Sequence, residues 1–156
     1  LSHAKTDTEV IRELVADEKS YRSLTKTWFE NSPLYELIRL LADKDVRLIL
    51  TTDHGTINVN EPSKLVGDRD TSSNLRYKMG RNLSYKAKDV FEINKPEEAH
   101  LPKVNVSSKY VFAREDKFFA YPNNYNYYVK YYRNTYQHGG VSLEEIICPF
   151  VVMESK

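Results

Sequence analysis

A mixed α/β fold is predicted by three features of this chain. A proline-led helical segment, "SPLYELIRLLADKD", runs into a short and almost continuous apolar run, "VRLILTT" at 46–52, the pattern of a strand buried on both faces. Strand patterns return at "DVFEI" (89–93) and "KYVFAREDKFFAY" (109–121). A helical stretch at 123–136 then leads through a short capped turn to a last apolar run, "PFVVME". The 156 residues suffice for one compact domain with a real core.

In chain order, residues 6–31 read as helix, with Thr6 or Thr8 as cap, Glu9 in the first turn, and Val10, Ile11, Leu14 and Val15 as an apolar stripe. The stripe breaks near 16–20 and resumes through Tyr21, Leu24 and Trp28, so one helix and two fit equally; Trp28 is assigned to the core. Ser32 caps the next helix, Pro33 takes its first position, and Leu34, Leu37, Ile38 and Leu41 share a face. Residues 55–89 are polar, with little periodicity beyond short strands at 57–59 and 64–66. That stretch is too long for a simple connection and is expected to be a functional insertion or lid. The 109–121 segment should form a hairpin turning at 115–116. Within 123–136, Tyr125, Tyr128, Val129 and Tyr132 fall at helical spacing behind Asn123 or Asn124 as cap. The final run is expected to be a buried strand. No repeat, low-complexity linker or internal domain boundary is visible.

Charge and cysteine usage narrow the function classes. With 23 basic and 22 acidic residues, a net charge of +1 argues against a generic polyanion binder, although a local basic patch stays open. No apolar run approaches the roughly 18 residues of a membrane span. The opening "LSHAKTDTEV" has no apolar signal core. A single cysteine, Cys148, excludes an intrachain disulfide framework and suits a reducing compartment, so the cytoplasm is expected. Cys148 itself should be buried and inert. The absence of an initiator methionine suggests a piece of a longer protein.

Two histidines stand in unusual settings. "TTDHG" puts Asp53 and His54 at the carboxyl end of the best-defined strand, where α/β sheets bind ligands. Carboxylate oxygen and imidazole nitrogen on a sharp turn can share a cation; a turn cap beside a solvated histidine is the alternative. In "HGGVSLEE", Gly139 and Gly140 allow close backbone approach next to His138, while Ser142 and Glu145 resemble a capping box. His138 is then either a ligand or part of that cap.

Together these motifs resemble the metal-ligand segments of the alkaline phosphatase superfamily. The order of strand-DHG, long insertion and HGG-S-x-x-E before the last strand is similar to its PglZ branch. "SPLYELIRLLADKDVRLILTTDHGTI", "NLRYKMGRNL" and "YPNNYNYYVKYYRNTYQHGG" carry the likeness over most of the chain, and resemble the output domains of response regulators associated with type IX secretion.

The resemblance implies an alkaline-phosphatase-like sheet flanked by helices with an irregular polar insertion, and places residues 1–156 in the C-terminal part of such a domain. It implies two Zn²⁺ ions in the complete domain, with Mn²⁺ as the alternative and partial occupancy here. Asp53 and His54 match ligands of the ion that also holds the nucleophile; His3 and His138 match ligands of the other. "LSH" fits the end of an Asp-x-x-x-His motif whose Asp precedes Leu1. No Thr or Ser of this chain matches the nucleophile, Thr51, Thr52 and Thr56 included, so the chain alone should be inactive. Two ions about 4 Å apart would activate the attacking hydroxyl and stabilise the leaving oxygen of a phosphoryl displacement. The implied substrate is a nucleotide-like phosphodiester. The implied protein partners, through the parent, are a sensor kinase, a sigma factor or a secretion-motor protein.

"NLRYKMGRNLSYKAK" (74–88) carries the substrate candidates Asn74, Arg76, Tyr77, Lys78 and Arg81, since arginine grips phosphate and tyrosine stacks a base. A basic solvated loop is the competing reading. Twelve tyrosines, seven of them between Tyr121 and Tyr136, read mainly as packing, although Lys130 and Arg133 among them could support stacked single-stranded nucleic acid. His100 is read as a surface residue. The competing function is a regulatory interaction module that binds a sigma factor, a secretion-motor protein or DNA, with metal in a structural role. A plain nucleic-acid-binding domain is the third.

Overall fold

The computed structural model describes residues 17–68 and 71–154. Its elements run α1 (Glu18–Glu30), α2 (Pro33–Leu41), β1 (Arg47–Thr51), β2 (Ile57–Val59), β3 (Glu61–Lys64), β4 (Tyr77–Gly80), β5 (Val90–Ile93), β6 (Lys109–Ala113), β7 (Lys117–Ala120), α3 (Tyr125–Tyr132), β8 (Thr135–Gln137), α4 (Leu143–Ile146) and β9 (Phe150–Glu154). The fold is mixed α/β with small sheets. Two compact units result, one from residues up to Thr51 and from Pro149 onward, the other Thr52–Cys148. Among the described residues no helix is long and apolar enough to cross a membrane.

In the first unit, the break near 16–20 is the start of α1, where the Asp17 carboxylate accepts the Ser20 N–H at 2.7 Å. The caps expected at Thr6 or Thr8, the stripe from Val10 to Val15, and His3 lie outside the described residues. The Ser32 hydroxyl accepts the Tyr35 N–H at 3.3 Å and Pro33 opens α2. The strand at 46–52 forms as β1, but not as a strand buried on both faces. It pairs antiparallel with β9, Ile49 opposite Val152, and both side chains are about half exposed. A ribbon two strands wide cannot enclose side chains on its own. The same reason corrects the expectation of a buried last strand. Trp28, assigned to the core, is also half exposed on α1.

The second unit holds the buried core. β4–β6–β5 form an antiparallel sheet, β3 pairs in parallel with β7, and β2 pairs antiparallel with β8. Alternation along β7 sorts its side chains to two cores. Phe119 joins Leu65, Leu83, Val90, Val111 and Ala113, whereas Phe118 and Ala120 pack with Val59. The 109–121 segment yields both strands and its turn, with Glu115 at φ 51°, yet β6 and β7 are not paired to each other. Both edges of β6 are already taken by β4 and β5, so β7 pairs with β3 instead. The polar stretch 55–89 is irregular but not a peripheral flap. It places Val59 and Leu65 in the cores and buries Ser63 with its hydroxyl on Asp89 at 2.9 Å. Its second strand is β3, four residues from Glu61, rather than 64–66.

Candidate metal centre

Backbone pairing brings the two histidine motifs to one place. In the β2–β8 ladder Ile57 lies opposite Gln137 and Val59 opposite Thr135. Continued outward, that antiparallel register leads to the residues just before Ile57 and just after Gln137, the two histidine loops. Gly55 then closes one loop on α4. Its N–H donates to the Glu145 carbonyl at 2.8 Å, and a Cβ there would sit 2.0 Å from the Glu144 carbonyl oxygen. Only glycine permits that approach. Gly139, at φ +98°, turns the other loop in the left-handed region.

The result is a stacked pair of imidazoles. The His54 and His138 ring centroids are 3.8 Å apart with an interplanar angle of 11°. His54 Nδ1 lies 2.8 Å from the Gly55 carbonyl oxygen. With its proton on Nδ1, His54 donates there, a contact of the kind that sets the tautomer of a metal-binding histidine. Asp53 Oδ1 is 3.7 Å from His54 Nε2, and the Asp53 carboxylate is open to solvent. Imidazole and carboxylate are each donor types that suit Zn²⁺. Among the described residues no group of three His, Cys, Asp or Glu gathers around one point.

The basic stretch is arranged differently from its sequence expectation. Asn74 folds the chain locally, its Oδ1 accepting the Arg76 N–H at 2.7 Å and the Tyr77 N–H at 3.1 Å. Its Nδ2 donates to the His138 carbonyl at 3.3 Å. Arg76 and Lys78, two apart on the extended chain, share a face, and both are buried. Arg76 Nε and Nη2 each donate at 2.9 Å to the two oxygens of Glu145, and Nη1 donates to the Lys117 carbonyl. Burial pushes the Glu145 carboxyl up, but chiefly the Arg76 guanidinium, with the Gly140 N–H, outweighs it and holds it below the usual carboxylate range. Lys78 Nζ donates to the Ser72 carbonyl at 2.8 Å and lies 4.7 Å from the centre of the Tyr121 ring; burial lowers its pKa to about 8. Substrate phosphate contact, expected of Arg76 and Lys78, is therefore at odds with this geometry. A guanidinium can enter a core only with a carboxylate beside it, and Glu145 is that partner. Tyr77 is half-buried against Tyr110 and Phe112, and Arg81 is exposed.

Other candidates fall more simply. Tyr125, Val129 and Tyr132 of α3 pack on the Phe118 core, while Tyr127 is exposed. His100 is on the surface, and Cys148 is half-buried rather than fully buried. The capping-box spacing gave Glu145 its local bond to the Ser142 N–H, 3.2 Å, but not its ion pair with Arg76, 69 residues away in the chain.

The family described as the BREX system PglZ alkaline phosphatase-like domain matches residues 1–153. No curated protein matches the chain.

Proposed function

The chain belongs to the PglZ family of alkaline phosphatase-like domains, a phosphoesterase-type family that generally uses metal ions, and from that premise we propose that it contributes ligands to a two-metal phosphodiesterase site. The observation that carries this reading is the parallel stack of His54 and His138 beside the Asp53 carboxylate. Asp53 and His54 would hold one ion; His138, with His3, would hold the second. Zn²⁺ is the ion proposed, with Mn²⁺ as the alternative. When bound, the pair would activate the attacking hydroxyl and balance charge on the phosphoryl oxygens. Arg81 and Tyr77 are assigned contact with a nucleotide-like substrate. The likeness to response-regulator output domains extends the proposal: a sensor kinase would act upstream, and residues 1–156 would form the C-terminal part of the output domain. No Thr or Ser of this chain is assigned as nucleophile, so the chain by itself should bind metal with partial occupancy and not turn over.

The test is hydrolysis of a generic phosphodiester by the intact protein, with and without Zn²⁺. Chelation, His54→Ala and His138→Ala should each abolish turnover. Full activity in either variant after metal removal would refute the reading.

A further inference from the structure

We propose that the Arg76–Glu145 ion pair is a latch that holds the two histidine loops in register, making Arg76 a positioning residue for His54 and His138. This rests on the metal-site reading above. Glu145 is engaged from every side. Oε1 accepts from Arg76 Nε and the Gly140 N–H, each at 2.9 Å, while Oε2 accepts from Arg76 Nη2 at 2.9 Å and the Ser142 N–H at 3.2 Å. Its backbone carbonyl accepts the Gly55 N–H at 2.8 Å. One residue therefore grips Gly140, two positions after His138, through its side chain, and Gly55, next to His54, through its backbone. Asn74 completes the attachment by joining the Arg76 N–H to the His138 carbonyl.

Close packing leaves little slack. A Cβ on Gly140 would lie 2.4 Å from Glu145 Oε2, and one on Gly139 would lie 2.8 Å from Asn74 Nδ2. Stability alone does not require ions here, since a well-packed apolar pair usually serves as well in a core. What a carboxylate adds is acceptors for the loop N–H groups. What the guanidinium adds is a two-pronged donor that orients that carboxylate.

The test is Zn²⁺ affinity by titration calorimetry on the protein, alongside metal-free NMR of the imidazole protons, whose shifts report ring stacking. The variants are His138→Ala, Arg76→Lys, Glu145→Gln and Lys78→Met, each checked for folding by circular dichroism. Outer contacts of metal-binding histidines are worth about tenfold to a hundredfold in affinity. Folded Arg76→Lys and Glu145→Gln should therefore lose that much zinc affinity and also the stacked-ring shifts. Lys78→Met, a buried cation on the same face with no bond to either loop, should change neither. If His138→Ala weakens zinc binding while both latch variants, folded, bind and stack as the parent does, the latch is wrong and the metal site stands. If His138→Ala binds zinc normally, the metal reading fails, and the latch is then judged by ring stacking alone. A Lys78→Met variant as impaired as Arg76→Lys, or loss of folding in both latch variants, would reduce Arg76 to a general core residue and reject the positioning role.

Discussion

The stacked histidines and the buried cations of the second unit make an instructive pair. Both sets are polar, yet His54 keeps about a third of its side chain open to solvent while Arg76 has none. An imidazole does not carry a permanent charge, so partial shelter costs it less than it costs a guanidinium. A guanidinium is always charged; it enters the interior only with a carboxylate and a full set of acceptors. In the proposed function the histidines present the ligand atoms, and the Arg76 guanidinium serves the scaffold.

That contrast can be broken most severely at the ion pair. Arg76→Met leaves the Glu145 carboxylate buried without its main partner, and loss of one member of such a pair costs about 3–5 kcal/mol. Urea unfolding should show a drop of that order, whereas a change below about 1 kcal/mol would show the pair to be solvated in solution. A smaller loss is expected at the loop that brings the histidines together. Gly55→Ala drives a methyl into the Glu144 carbonyl, an overpacking of about 1–3 kcal/mol, with loss of ring stacking by NMR. Stacking preserved in that variant would show that the loop closes some other way.

The gentlest probe uses pH on Lys78. Burial holds its folded-state pKa near 8 against 10.5 for the ordinary lysine. Above pH 8 the folded protein gives up this proton while the unfolded chain still binds it, so stability should rise from pH 8 towards pH 10. Below pH 8 the penalty is fully present. Tyr85, Tyr110, Tyr121 and Tyr132, each raised by burial, oppose the trend only where tyrosine titrates, around 10. Lys78→Met should flatten the rise. An unchanged slope in the variant would assign it to another group.

Much of this was legible from local pattern. Ser32 with Pro33 and the capping-box glutamate each set backbone geometry within four residues, so α2 and α4 follow from the chain itself; Asn124 precedes α3 in the left-handed region, with no capping bond from its side chain. Asp53, His54 and His138 stood out because glycine beside a polar side chain is a local signature. The apolar content of β1 and β9 was equally plain, but their exposure was not. Burial depends on what lies across a strand, and alternation or its absence does not name a neighbour.

What the sequence determined by itself is therefore the mixed α/β class, the starts of α2 and α4 and the two histidine motifs, all of them short-range consequences of side-chain shape and hydrogen bonding. What only the tertiary structure decided is which groups meet. Arg76 finds Glu145 across 69 residues, and His54 finds His138 through the β2–β8 ladder and the Gly55 contact. Long-range pairings arise from packing and chain closure over the whole unit, and no window of sequence contains both partners.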